Sequence, residues 1–362
     1  MPPSSSSPAR RVLVTGGAGF VGSNLAVTLA GRHPDWELVA FDNLRRRGSE
    51  LTLARLRDAG VTFVHGDVRE PADLEAAGRV DAILECSAEP SALAGVDGAT
   101  DYAVRANLLG AWHCLEVARR HGAQFVFLST SRVYPVAAQR SLALEEGETR
   151  FELAAEQPVA GAGPEGISEA FPLDGARTLY GATKLAAELL VTEYAESYGI
   201  PAVIDRCGVI AGPWQMGKVD QGVFTYWLLA HYHRRPLRYI GFGGAGKQVR
   251  DLLHIDDLCD LMDEQLQAPA DWAGATVNVG GGRACSLSLL ELTALCRELT
   301  GNEVEIASDP ETRPGDVPVY LSDCGALFAR TGWRPRRGPR EIIADIHAWA
   351  AEQGDALREA IA

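Results

Sequence analysis

"RVLVTGGAGFVGSNLAVTLAGRH", residues 11–33, decides the fold. Val12–Val14 read as a strand apolar on both faces, as a sheet covered by helices on both sides requires. Gly16, Gly19 and Gly22 follow at every third position, and an apolar helix starts at once. The first glycine permits a tight turn, and the second lets backbone approach a pyrophosphate. The third lets helix close on strand, and the helix N-terminus offers free N–H groups to the anion. Phe20 and Val21 lie in the same turn. "ELVAFDN" (37–43) is the next strand, and Asp42 stands 20 residues beyond Gly22. A carboxylate there accepts hydrogen bonds from ribose hydroxyls and repels a 2′-phosphate, which favours NAD over NADP. Arg45, Arg46 and Arg47 pull weakly the other way.

Outward from that stretch, strand and helix alternate. "VTFVHGD", "DAILECS", "QFVFLSTS" and "PAVIDRC" read as strands, separated by helical patterns that include "YAVRANLLGAWHCLEVARRHG" and "YGATKLAAELLVTEYAESYG". This rhythm predicts an α/β fold, a doubly wound parallel sheet with right-handed crossovers. It breaks at 136–178, a long Gly/Pro/Glu-rich excursion, and again after about residue 208. The expected division is a tail over 1–10, a dinucleotide-binding domain over 11–207, and a smaller C-terminal substrate-binding lobe over 208–250 and 281–362. Residues 251–280, with the strand "GATVNVGG", return to the main sheet.

The 362 residues carry a formal net charge of −14, which argues against a nucleic-acid or anionic-membrane surface. Seven cysteines are scattered without zinc spacing, so neither a metal site nor a disulfide framework is expected, and a reducing cytoplasm is. "MPPSSSSPARR" is polar, lacks the apolar core of a signal peptide, and is expected to be disordered. No apolar run reaches membrane-spanning length.

Strand ends carry the chemistry in such sheets. Asn43, Asp67 and Val68 follow the second and third strands. Asp67 suits either an adenine contact or a simple Asx turn. The fourth strand ends in "LECSAEPS": Cys86, Ser87 and Ala88 are small enough to line a dinucleotide ribose, while Glu85 and Glu89 pose a question, because a buried unpaired carboxylate is costly. Glu85 is expected to have a partner or to reach the site; Glu89 and Ser91 are read as substrate contacts. Thr130 ends the fifth strand. Tyr180 and Lys184, four apart at the start of a long helix, share one face. A Lys ammonium beside a phenol favours phenolate and draws its pKa from about 10 toward neutrality. Such a Tyr takes a proton from a substrate hydroxyl while a hydride leaves the same carbon, with Thr130 sharing the oxygen.

With these residues in hand, the chain resembles the extended short-chain dehydrogenase/reductase family, the NAD-dependent sugar-nucleotide epimerases and dehydratases. "TGGAGFVGSNL", "DNL", "GDVRE", "STSRVY", "YGATK", "GKQVRDLLHIDDL" and "RPGDVPVYLSD" look like that family's blocks in its order, from about residue 11 to 345. The stretches "EEGETRFEL" and "VDQGVFTYW" look most like a branch of 2-epimerases. The resemblance implies a Rossmann-type sheet, tightly held and recycled NAD, and a catalytic set of Thr130, Tyr180 and Lys184. It implies cofactor contacts near Asn107 and Cys207, and a homodimer seam through helices 101–121 and 180–199. It implies that Arg250 and Arg313 hold a substrate diphosphate, a role suited to bidentate guanidinium; a salt bridge from Arg250 to Asp251 or Asp256 is the competing reading. Gln221 and Glu169 join the expected substrate contacts. Three places depart from the pattern. Glu85 stands where the family's fourth strand usually ends in His. Trp214, expected at the substrate, stands where Arg is expected, and Val209 where many relatives carry Asn.

Three functions follow. A 2-epimerase oxidises a hydroxyl, lets the ketone turn over, and reduces the opposite face. A dehydratase adds an elimination and needs an extra base, for which Glu85, Glu89 and Glu169 are candidates; it would also suit a nucleoside. A non-catalytic NAD-binding regulator would have no need of the Thr–Tyr–Lys set.

Overall fold

The computed structural model describes residues 10–91, 100–217 and 221–360. The expected tail lies outside them except for Arg10, which is tied down: its guanidinium donates to the Leu266 carbonyl at 2.7 Å and to Gln124 Oε1 at 2.8 Å.

Seven parallel strands form the main sheet: Arg11–Thr15, Glu37–Asp42, Thr62–His65, Ala82–Glu85, Gln124–Thr130, Ala202–Cys207 and Ala275–Val279. Taken in chain order, they lie third-second-first-fourth-fifth-sixth-seventh. The chain reverses its direction of winding between the first and fourth strands, and the crevice at that point is where ligands bind in such sheets. The central strands are buried along their whole length because helices cover both faces. One face packs against helices Phe20–Arg32 and Ile255–Gln267, through Leu25, Leu29, Leu258 and Met262. The other packs against Gly110–His121 and Leu179–Tyr198, through Leu115, Ala118, Ala187 and Val191.

The helix expected over "YAVRANLLGAWHCLEVARRHG" forms with a defect. Arg105–Leu109 is a turn of π-helix between Thr100–Val104 and Gly110–His121. Helix Leu179–Tyr198 begins under the Thr178 side chain, which accepts from Gly181 N–H, and ends on Gly199 at φ +68°. The excursion 136–178 holds a short helix, Val136–Arg140, and two small hairpins.

The lobe's main sheet joins Val209–Ala211, Val249–His254, Ser286–Ser288 and Val319–Tyr320. Two expected boundaries shift. Strand Val249–His254 straddles residue 250, so 251–254 belong to the lobe sheet. Cys324, Leu327 and Trp333 pack into the main-sheet core, so 281–362 is not wholly lobe. Ala275–Val279 pairs in parallel with Ala202–Cys207 in the main sheet.

Candidate active site

Two cavities meet at the crevice. The first, about 450 Å³, is lined by the glycine turn and the ends of the second, third and fourth strands. Gly16 sits at φ +61°, and a Cβ there would lie 2.8 Å from the Cys86 carbonyl oxygen. A Cβ on Gly22 would lie 2.3 Å from the Gly16 oxygen. Glycine is required at both. Helix Phe20–Arg32 starts with no side-chain cap and no acid in its first turn, so its free N–H groups face an open cavity. This cradle fits a dinucleotide pyrophosphate.

Asp42 lines the same cavity, where its carboxylate accepts from Ala18 N–H at 3.2 Å and Leu44 N–H at 2.7 Å. Burial pushes its pKa up. Asp67 accepts from Asn43 at 2.8 Å and from Arg69 at 2.7 and 2.9 Å. Burial opposes its ionisation, but the Arg69 and Asn43 hydrogen bonds win and hold it at about 2. Of the arginine triplet, Arg45 lies over the Tyr102 ring, and Arg46 donates to Gln221 and to the Met216 carbonyl. Phe20, Val21, Asn43, Val68, Cys86, Ser87 and Ala88 all line this cavity.

The second cavity, about 910 Å³, opens from the first past Phe20, Val21, Cys86, Ala88 and Pro90 and runs into the lobe. Thr130, Tyr180, Lys184 and Cys207 lie at its sheet end; Arg132, Arg250 and Arg313 lie further along its wall. Thr130 is hydrogen-bonded to the Tyr180 hydroxyl. Burial pushes the Tyr180 phenol up to about 12, against the pull of that bond and of the Arg132 charge. The sequence expectation was the reverse; burial outweighs the neighbouring charges, and Lys184 is engaged elsewhere. Its Nζ faces Glu85 Oε2 at 3.5 Å and sits 3.9 Å from the Phe127 ring centroid. Glu85 Oε1 in turn accepts from the Ser87 hydroxyl. This answers the question set by "LECSAEPS": Glu85 is buried and has Lys184 as its partner.

Arg250 makes no ion pair to Asp251 or Asp256; its guanidinium donates to the Val249 and Val317 carbonyls, both at 2.7 Å. Burial and the neighbouring Arg132 lower its pKa to about 10. The Arg313 carbonyl accepts from Arg140 at 3.0 Å and from Asp316 N–H at 3.2 Å.

Several expected contacts lie elsewhere. Glu169 lines neither cavity; its carboxylate accepts from Asn278 N–H at the end of the seventh strand. Ser91 also lines neither, and its N–H donates to Glu89 Oε1 at 3.3 Å. Glu89 and Trp214 line the dinucleotide cavity rather than the larger one. Trp214 is drawn there at φ +72°, with its ring between Arg55 and Trp349. Asn107 lines neither cavity: its side chain accepts from Glu89 N–H at 2.7 Å and donates to the Glu89 carbonyl and Thr183, both at 3.1 Å. It joins the loop after the fourth strand to the helix that carries Tyr180. Gln221 lines both cavities, held by Arg46. Sequence reading missed Arg132, Tyr226, Leu237 and Gln248 in the larger cavity. Arg132 sat in the quoted block "STSRVY", two residues past Thr130. Tyr226 and Gln248 likewise sat in the quoted blocks "VDQGVFTYW" and "GKQVRDLLHIDDL", and Leu237 comes from a short lobe strand with no spacing rule.

A family model described as the NAD dependent epimerase/dehydratase family matches residues 12–280. CDP-paratose 2-epimerase of Salmonella typhi is 28% identical over 353 residues, 94% of this chain and 99% of that protein. A dTDP-glucose 4,6-dehydratase of Mycobacterium tuberculosis is 31% identical over 329 residues, 90% of this chain and 88% of that protein. Among solved structures, a Thermus thermophilus UDP-glucose 4-epimerase in complex with NAD superposes with a TM-score of 0.74 at 27% identity, covering 94% of this chain and 98% of that one.

Proposed function

The chain belongs to the NAD dependent epimerase/dehydratase family, and from that premise we propose that it epimerises a nucleotide-linked sugar as CDP-paratose 2-epimerase does. Its cofactor is NAD, which when bound takes a hydride from the sugar carbon and gives it back. Tyr180 takes the proton of the hydroxyl on that carbon, and Thr130 holds the same oxygen. Arg250 and Arg313 hold the diphosphate, and the keto sugar beyond that anchor turns over in the wide cavity. Return of the proton and hydride on the opposite face inverts the centre without net redox change. A homodimer in the cytoplasm completes the reading; the seven cysteines are free thiols.

One observation favours epimerisation over dehydration. Elimination requires a base beside the ketone, and none of the three candidates is available there. Glu85 is engaged by Lys184 and Ser87, Glu89 lies on the dinucleotide side, and Glu169 is bound to Asn278 N–H. Thr130 is followed by Ser131 and Arg132. Among the described residues, the carboxylates lining the larger cavity are Glu305 and Asp316, both from the lobe. The test is incubation of the holoenzyme with CDP-paratose and other CDP- and dTDP-sugars, followed by mass spectrometry and chromatography. An isomer of unchanged mass supports the reading, whereas a product lighter by one water establishes the dehydratase. Tyr180→Phe abolishes turnover; full activity in that variant would sink the mechanism.

A further inference from the structure

The Tyr–Lys pair has a third member. Lys184 is 1% exposed, and so is Glu85, on the strand facing it. Their charged atoms are 3.5 Å apart. A buried ammonium and a buried carboxylate at that separation interact far more strongly than a surface pair, because little water screens them. The carboxylate is fixed from its other oxygen by the Ser87 hydroxyl. The ammonium is fixed from below by the Phe127 ring. The charged side chain at the end of the fourth strand is therefore paired with the lysine one turn beyond Tyr180.

We infer that Glu85 is a positioning residue for the proposed proton transfer: its carboxylate holds the Lys184 ammonium toward the fourth strand and offsets its charge beside Tyr180. The inference rests on the reading of Tyr180 as the proton acceptor. The other groups around this pair are three thiols, Arg132 and Asp205 of the sixth strand, whose charge reaches Cys86 and Cys207. Cys86 lies on the fourth strand's end, Cys207 on the sixth strand's, and Cys114 on helix Gly110–His121; Arg132 follows the fifth strand. Burial pushes all three thiols well up, so they stay neutral through the working range. Glu85 is the carboxylate that faces Lys184, and its charge works against phenolate at Tyr180. Through Lys184 and Tyr180, Glu85 sets the pH at which the phenol ionises.

The experiment titrates the Tyr180 phenol in the holoenzyme by its phenolate absorbance, as a difference against Tyr180→Phe, and needs no substrate. Glu85→Gln keeps the shape and the acceptor for Ser87 while removing the charge. It is expected to lower the ionisation midpoint by about one pH unit or more. Glu85→His, a neutral side chain at that pH, is expected to shift it the same way, and Glu85→Asp, which keeps the charge, to shift it least. If Glu85→Gln fails to fold, the His and Asp variants carry the comparison. A midpoint that stays put, or rises, in the charge-removing variants overturns the inference. Where a turned-over substrate is in hand, the acid limb of the kcat profile moves with the titration. Because the titration is independent of substrate, absence of epimerisation would refute the proposed function without touching this result.

Discussion

Two buried carboxyls show what single residues contribute. Glu85 was legible as an anomaly, since a strand that should end in a neutral side chain ended in an acid; its partner was not legible, because Lys184 lies 99 residues on. Asp205 gave no signal at all. It sits mid-strand, fully buried, and burial raises its pKa from 3.8 to about 7 against a single hydrogen bond from Gln265 Nε2 at 2.8 Å. Asp205 Oδ2 and Gln265 Oε1 are both buried without a partner. A proton on Oδ2 supplies the missing donor, so the folded chain prefers the acid form. A carboxyl whose folded pKa is raised contributes stability that is fully present below the unfolded value near 4 and has been lost once the pH has risen through 7. Each tenfold change in proton affinity is worth about 1.4 kcal/mol, so the loss is a few kcal/mol. Asp205→Asn presents an amide donor in place of the proton at every pH. Its thermal midpoint should exceed that of the parent at pH 8 and approach it at pH 4; equal midpoints at pH 8 would contradict this account.

At the scale of elements, the glycine turn was the most legible part of the molecule, because its function and its sterics impose the same spacing. Gly16 needs a positive φ, and Gly22 needs to lack a Cβ where helix meets turn. Gly22→Ala forces its methyl to 2.3 Å from the Gly16 oxygen and must push helix Phe20–Arg32 off the first strand. Overpacking of this kind costs about 1–3 kcal/mol. The purified variant should unfold at lower denaturant and release less NAD on heat denaturation than the parent; full cofactor content would show that the cradle tolerates the shift. The π-helical turn at Arg105–Leu109 was not legible. It answers to contacts made by Asn107 with the Glu89 backbone and Thr183, 18 and 76 residues away. A wide turn places that amide between two elements, and no local pattern announces such a need. Trp214 was misplaced for the same reason: its position follows from Arg55 and Trp349.

The whole molecule shows why the main sheet was readable and the lobe was not. Alternating strands and helices write a period into the sequence, and the crossover rule orders the strands. The lobe is built of two- to six-residue strands drawn from segments far apart in the chain, so its cavity wall carries no period. Exposed apolar side chains on the covering helices bear on the proposed homodimer. The helices Gly110–His121 and Leu179–Tyr198 cover one face, yet their outward sides leave Trp112 40% and Leu189 67% exposed, with Leu109 also 40% exposed on the preceding turn. Apolar side chains left on two adjacent long helices suit a second copy of the same pair, since a two-fold axis matches each helix with its own image and closes the assembly at two. Placing a carboxylate on that surface would bury an unpaired charge twice per dimer. Leu189→Glu should therefore convert a dimer to a monomer in light scattering after size exclusion, with the secondary structure retained. A parent chain that already runs as a monomer at micromolar concentration would show that these side chains face solvent.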